Sequence, residues 1–125
     1  MTLVYVAVGG AIGSVLRYLM MVLIGHNLGN NFPYSTLIVN VSGSFVMGLL
    51  IGWLSSTLPA NASDIRLFVA VGVLGGYTTF STFSLDAIAL MEDGKILDMV
   101  AYIVLSVILS LGGVIAGLYL MRTVS

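Results

Sequence analysis

The sequence is short, apolar and almost uncharged. It has 125 residues, of which 59% are hydrophobic and 7% charged, with a net charge of −1 and a mean hydropathy of +1.15. A soluble domain carries about 25% charged residues, so this composition excludes an ordinary cytosolic domain, a disordered chain and a nucleic-acid binder with a basic face. Cysteine is absent, which excludes disulfides and thiolate metal sites. We therefore predict an integral membrane protein.

Four apolar runs follow one another along the chain, at roughly residues 2–25, 34–56, 65–91 and 96–121. Because a membrane helix needs about 20 residues, each run predicts one transmembrane helix. Residues 1–125 are thus predicted to form a single all-α domain of four transmembrane helices joined by short polar loops. The first run lacks basic residues at its start, and its apolar part is too long for a cleavable signal peptide.

The third run contains a segment that is a poor helix former. Its middle reads GGYTT at residues 75–79, where paired glycines precede β-branched and hydroxyl residues. In lipid, a backbone break is tolerated only where protein or a water-filled path surrounds it. We predict two half-helices with an interruption near Gly75 to Thr79, a device that commonly exposes backbone oxygens to an ion. The alternative is one continuous helix with a small-residue packing face.

Every run also carries a pair of glycines four residues apart, a pattern that lets membrane helices approach closely. The four pairs are Gly9 and Gly13, Gly48 and Gly52, Gly72 and Gly76, and Gly113 and Gly117. We expect most of them to pack helices within one bundle, with a dimer interface as a second possible use.

The basic residues favour neither orientation in the membrane. With four spans, Arg66 and Arg122 lie on one side, and Lys95 and Arg17 on the other. Since the Lys and Arg bias sets orientation, this balance predicts insertion in both directions, unless so few charges carry no signal. Dual insertion would permit an antiparallel homodimer.

Polar residues within the spans are candidates for a functional path. Arg17 either attracts an anion into a vestibule or extends its charge to the interface. Asn40 either bonds a neighbouring helix or lines a path. Tyr102, Ser106 and Ser110 are spaced by four and share one helix face. This file of hydroxyls suits donation to a moving anion, and the alternative is a serine packing face.

Two aromatic rings follow the predicted break. Phe80 and Phe83 are three residues apart, so they share a face of a helix and their positive ring edges suit an anion; ordinary packing is the alternative. Ser81 and Thr82 lie between them. Asp86 follows as a carboxylate whose role the sequence leaves open.

Several other functions lack the residues they need. His26 is the only histidine, so there is no histidine cluster for a metal. A small proton-coupled exporter of organic cations would need a carboxylate deep in the first run, and that run has none. No catalytic set supports an enzyme. A membrane assembly subunit that transports nothing remains an alternative.

The segment GGYTTFSTFS at residues 75–84 resembles the signature of the Fluc (CrcB) fluoride channels. Two flanking patterns agree with it. The first is GxxxRY at residues 13–18, and the second is TLxVNxxGSF at residues 36–45. The resemblance covers the whole chain.

This resemblance implies dual-topology antiparallel homodimers in the cytoplasmic (inner) membrane of bacteria, with two fluoride pathways per dimer. Fluoride export would be passive, driven by the membrane potential, and would lower the toxicity of the anion inside the cell. A Na⁺ at the dimer centre would be structural and not transported. It would be held by the backbone carbonyls of Gly75 and Thr78 from each subunit.

The resemblance also assigns roles to individual residues. The implied fluoride pathway comprises Phe80, Phe83 and Asn40, with Ser81, Thr82, Tyr102, Ser106 and Ser110 as its hydroxyls. Arg17 would lie in the vestibule. Family members often have glutamate where this sequence has Asp86. Fluoride is small and strongly hydrated, so a pore must replace its water with hydrogen-bond donors.

Overall fold

The computed structural model describes residues 1–124, and this part of the chain is helical throughout apart from short connections. Its elements are α1 (Thr2–Leu28), α2 (Tyr34–Thr57), α3 (Ala62–Ile65), a π-helix (Arg66–Leu74), α4 (Gly75–Tyr77), α5 (Phe80–Glu92) and α6 (Ile96–Val124). Four stretches are long and apolar enough to cross a membrane: α1, α2, α6 and the third span Ala62–Glu92. Each extends slightly beyond the corresponding apolar run of the sequence.

The third span is interrupted, as predicted, but over fewer residues. Only Thr78 and Thr79 are extended, with φ −82°, ψ 157° and φ −150°, ψ 122°. The segment Gly75–Tyr77 is helical, so the prediction that the break includes Gly75 and Gly76 is wrong. Close packing explains the second glycine, because a Cβ on Gly76 would lie 2.7 Å from the carbonyl oxygen of Gly10 in α1.

The first half of the third span packs against α1 through glycine. A Cβ on Gly9 would overlap the carbonyl oxygen of Phe68, and one on Gly13 would overlap that of Val73. These two oxygens are five residues apart within the π-helix Arg66–Leu74, whereas the glycines are four apart. The wider turn of the π-helix therefore matches its carbonyls to the glycine pair. No sequence pattern predicted this π-helix.

Helices α2 and α6 form the second glycine seam. A Cβ on Gly48 would overlap the carbonyl oxygen of Val114, and one on Gly117 would overlap that of Phe45. Contacts along the seam advance in the same direction on both helices, from Val41 and Gly113 through Phe45 and Gly117 to Gly52 and Met121, so α2 and α6 run parallel. Together with the α1 seam, they show the four glycine pairs packing helices inside the chain, which was the predicted main use.

Helices α5 and α6 form a hairpin that closes the bundle. Gly94, with φ 77°, ends α5: its N–H bonds the Met91 carbonyl at 3.1 Å, and the Lys95 N–H bonds the Leu90 carbonyl at 2.9 Å. This is a Schellman turn. The buried cluster beneath it comprises Leu37, Ala87, Leu90 and Tyr102, with Phe32, Val41, Phe83 and Met99 packed around them. The hairpin thereby positions Tyr102 and Phe83 beside α2.

Candidate functional site

Asn40 of α2 closes the break in the third span. Its Nδ2 donates to the Thr79 carbonyl at 3.0 Å, and the Thr79 N–H donates to its Oδ1 at 2.8 Å. The side-chain amide thus replaces the helical partners that the interrupted backbone lacks. Because an unsatisfied backbone group in lipid costs several kcal/mol, this pair of bonds fixes the position of the break. Of the two roles open for Asn40, it bonds a neighbouring segment, and it also borders the cavity described below.

Thr79 also starts α5. Its Oγ1 accepts from the Thr82 N–H at 3.2 Å, as an N-cap does. The same hydroxyl donates to Thr82 Oγ1 at 3.2 Å and lies 3.3 Å from Ser81 Oγ. Ser81 and Thr82 therefore belong to the cap of α5, and they do not line the cavity.

A cavity of about 340 Å³ lies beside the break, between α2, α5 and α6. Its wall combines hydroxyls, one amide, two phenylalanine rings and two aliphatic side chains. The lining residues are Asn40, Ser44, Thr78, Thr79, Phe80, Phe83, Ser106, Val107, Ser110 and Leu111. The cavity thus brings together five of the eight residues proposed for the pathway.

The two phenylalanines stand together at the cavity, as their spacing predicted. The ring centroids of Phe80 and Phe83 are 5.3 Å apart, with the planes tilted by 47°. Phe83 also contacts the Tyr102 ring, with a centroid distance of 5.2 Å. Phe80 is 78% exposed, so Phe83 is held by the bundle while Phe80 projects away from it.

The serines of α6 face the cavity with free hydroxyls. Ser106 is only 7% exposed, yet its Oγ has no hydrogen-bond partner among the described residues. Several helical serines elsewhere bond the backbone of their own helix: Ser42 donates to the Val39 carbonyl at 3.1 Å and Ser84 to the Phe80 carbonyl at 3.0 Å. Because an unsatisfied buried hydroxyl costs about 1–3 kcal/mol, an unpaired one beside a cavity indicates a ligand or water.

Tyr102, the third member of the predicted hydroxyl file, has a different environment. It is completely buried and donates to Asp86 Oδ2 at 3.0 Å. Thr36 Oγ1 donates to the same oxygen at 2.7 Å. The carboxylate of Asp86, whose role the sequence left open, therefore joins α2, α5 and α6. Tyr102 does not line the cavity, although its ring contacts that of Phe83, which does.

Arg17 lies apart from this site. It is half-buried on α1 and is not part of the cavity wall. The described residues include no ion pair for it. The structure therefore does not bring Arg17 together with the other residues proposed for the pathway.

The backbone at the break presents oxygens suited to a hard cation. The Thr79 N–H would bond the Gly75 carbonyl in a continuous helix, but it donates to Asn40. Among the described residues, neither the Gly75 nor the Thr78 carbonyl accepts a hydrogen bond at the break. Free carbonyl oxygens are ligands that hard cations prefer, so the donor set fits a sodium ion.

Ser44 and the π-helix are the features that sequence reasoning missed. Ser44 follows Asn40 by four residues on α2, the same spacing as Ser106 and Ser110 on α6. That periodicity was a usable signal, because residues four apart share a helix face.

Comparison with known proteins agrees with this architecture. Residues 4–118 match the family model described as CrcB-like protein, Camphor Resistance (CrcB). A Rhodospirillum centenum protein named fluoride-specific ion channel FluC is 52% identical over 118 residues, covering 94% of this chain and 93% of that protein. A protein of the same name from Rhizobium meliloti is 53% identical over 117 residues, with the same coverage. Another, from Rhodopseudomonas palustris, is 43% identical over 125 residues, the full length of both.

These matches include all four helices of membrane-spanning length, so the chain is a multi-pass membrane protein. The relatives are named as ion channels and not as enzymes. As the segment GGYTTFSTFS suggested, the chain belongs to the CrcB-like family.

Proposed function

We propose that this protein is a fluoride-selective channel. The observation that carries the proposal is the cavity beside the break, which is lined by the rings of Phe80 and Phe83 and by the buried, unpaired hydroxyl of Ser106. The names of relatives that are 43–53% identical along almost the whole chain support the same anion.

The chemistry of the cavity suits a small, strongly hydrated anion. Hydroxyl and amide donors replace its water, and ring edges add a weak positive field. The wall of the cavity contains no charged residue, so no fixed cation would trap the anion. Flux through such a path is passive, and a membrane potential that is negative inside drives fluoride out of the cell. The protein would thereby lower cytoplasmic fluoride and its toxicity.

We further propose that the working unit is an antiparallel homodimer of dual topology in the bacterial cytoplasmic membrane. The 78% exposure of Phe80 supports a second copy, because that ring borders the cavity and has little cover within its own chain. The balance of Arg66 and Arg122 against Lys95 and Arg17 supports insertion in both directions. Each dimer would then contain two pathways.

A structural sodium ion at the centre of this dimer completes the proposal. The Gly75 and Thr78 carbonyls of each subunit would hold it, and it would neutralise their converging partial charges. It is not transported. Within the protomer, a Cβ on Gly75 would meet only the Ala70 carbonyl oxygen, at an ordinary 3.6 Å. The protomer therefore has room for a Cβ at Gly75, and we expect a larger side chain there to obstruct the partner subunit.

The variant Gly75→Leu separates these two effects. We expect unchanged helix content but loss of the dimer on size-exclusion chromatography, and Gly75→Ala should lie between wild type and leucine. A Gly75→Leu protein that remains dimeric, with flux that is the same in sodium and in a much larger cation, would contradict the central site.

Fluoride efflux from liposomes that contain only this protein tests the main proposal. The potential is set with a potassium gradient and valinomycin, and fluoride is followed with a selective electrode. We expect efflux that follows the imposed potential. Absence of any flux would favour an assembly subunit, and movement of organic cations driven by a pH gradient would favour a proton-coupled exporter.

A further inference from the structure

We propose that Ser44 binds the anion in the pathway and supplies a hydroxyl donor from α2, in addition to the serines of α6 that line the same cavity. This inference rests on the proposed function and deepens it. Ser44 borders the cavity together with Ser106 and Ser110.

The helix register places two polar ladders side by side. Asn40 and Ser44 are four residues apart on α2, and Ser106 and Ser110 are four apart on α6. Because α2 and α6 run parallel, both pairs advance along the cavity in the same direction. Just beyond this point the helices approach closely: a Cβ on Gly113 would lie 3.7 Å from the Ser44 Cβ. Ser44 therefore occupies the level at which the cavity narrows to the glycine seam.

The Ser44 hydroxyl is available to a ligand. It forms no hydrogen bond with any residue that the structure describes. Two residues earlier, Ser42 shows the usual alternative, since its hydroxyl donates to the Val39 carbonyl and lies 2.9 Å from the Tyr77 hydroxyl. Helical serines commonly bond the carbonyl one turn earlier. A serine that borders a cavity and makes no such bond can donate its O–H to a ligand in that cavity.

Asn40 alone does not provide enough donors on this side of the cavity. Its amide has two N–H groups, and one of them is committed to the Thr79 carbonyl. Its oxygen, which would repel an anion, is occupied by the Thr79 N–H. The α2 wall therefore offers one remaining amide hydrogen and the Ser44 hydroxyl. A dehydrated fluoride requires several donors at once, so the hydroxyl of Ser44 matters.

The sharpest test compares Ser44→Thr with Ser44→Val. The two side chains have nearly the same shape and differ in the hydroxyl, so folding defects affect both alike. We expect Ser44→Thr to retain most of the fluoride flux. Ser44→Val should lose about tenfold or more, the scale of one lost hydrogen bond to a charged partner. The fluoride concentration for half-maximal flux should rise in Ser44→Val.

A third variant, Ser44→Ala, removes the hydroxyl without adding any group. Its matched control on the same helix is Ser55→Ala. Ser55 is exposed and donates to the Ile51 carbonyl at 3.0 Å, far from the cavity. Ser55→Ala should conduct like wild type, and Ser44→Ala should conduct poorly although it elutes at the same position. Equal flux in Ser44→Val and Ser44→Thr would overturn this inference while leaving the channel intact. A wild-type protein that moves no fluoride would instead overturn the proposed function.

Discussion

Helices α2 and α6 meet in two different ways along their length. In their second halves the backbones touch, because glycines such as Gly48 and Gly117 leave no side chain between them. Along their first halves, Ser44 of α2 and Ser106 of α6 both line the cavity that α5 completes. One parallel helix pair thus changes from a closed seam to an open, hydroxyl-lined space within a few turns. Side-chain size and the partners of the hydroxyls decide which form results.

The two halves differ in how well their polar groups are satisfied. The glycine seam allows close van der Waals contact, with carbonyls against Cα hydrogens. The half of the pair that borders the cavity leaves the Ser106 hydroxyl unpaired, which lowers the stability of the fold by about 1–3 kcal/mol. An unpaired donor can recover this free energy by bonding a ligand or water that enters the cavity. The seam therefore stabilises a structure whose other half keeps an unpaired hydroxyl, as the proposed pathway requires.

The largest expected effect comes from placing a side chain in the glycine seam between α2 and α6. A Cβ on Gly117 would overlap the Phe45 carbonyl, whereas one on Gly112, earlier in the same helix, meets nothing within 4 Å. Overpacking a core typically costs about 1–3 kcal/mol, and the cost at Gly117 is larger because every overlapped atom belongs to the backbone of α2. We therefore expect Gly117→Val to abolish most folded protein. Gly112→Val, the control, should behave like wild type. Size-exclusion chromatography and thermal melting in detergent measure both, and a stable Gly117→Val would show that the seam is not tight.

The next effect tests how the break joins the cavity. Asn40→Leu removes both hydrogen bonds to the Thr79 backbone and leaves two polar groups unpaired in the bundle. We expect a loss of about 1–3 kcal/mol of stability for each of the two groups, together with loss of flux. Hydrogen exchange at the Thr79 amide should accelerate strongly.

Asn40→Asp is the informative partner of this variant. It keeps an acceptor for the Thr79 N–H but has no donor for the Thr79 carbonyl, and it places a carboxylate at the cavity wall. Protection of the Thr79 amide should be retained while fluoride flux falls. Loss of amide protection in Asn40→Asp, or wild-type flux in either variant, would contradict the role assigned to Asn40.

The phenylalanines separate conduction from packing. We expect Phe80→Ile and Phe83→Ile each to reduce fluoride flux at least tenfold, because isoleucine offers no ring edge at the substituted position. Only Phe83→Ile should also lower the melting temperature of the protomer, since the Phe83 ring packs on Tyr102 with a centroid distance of 5.2 Å whereas Phe80 is 78% exposed. Flux in liposomes and thermal melting decide this. Wild-type flux in both variants would remove the rings from the pathway.

Much of this architecture could be predicted from local sequence. The apolar runs predicted the four spans, and GGYTT predicted an interruption in the third. The glycine spacing predicted tight seams inside the chain. Each of these signals lies within one helix, where period and residue size act directly.

The remaining features depend on which helices meet. Nothing local indicates that Asn40 bonds the Thr79 backbone 39 residues away, or that the Gly75 residue predicted to lie in the break is helical. The π-helix arises from fitting two carbonyls to two glycines of α1. Asp86 acquires its partners from α2 and α6, so the sequence could not assign its role. Tertiary packing, rather than propensity, sets these features.

The smallest expected effect concerns the polar cluster of Thr36, Tyr102 and Asp86, which lies outside the cavity wall. Thr36 and Tyr102 both donate to Asp86 Oδ2, at 2.7 and 3.0 Å, and neither borders the cavity. If this cluster belongs to the structural part of the α2–α6 pair, then Thr36→Val removes one of two donors and lowers stability by about 0.5–1.5 kcal/mol. Flux should stay close to wild type, and Thr36→Ser should restore the melting temperature.

Tyr102→Phe combined with Thr36→Val leaves the Asp86 oxygen with neither donor, so the combined loss of stability should exceed the sum of the single losses. A tenfold loss of flux in Thr36→Val, without a change in melting temperature, would place the cluster in the conducting half instead.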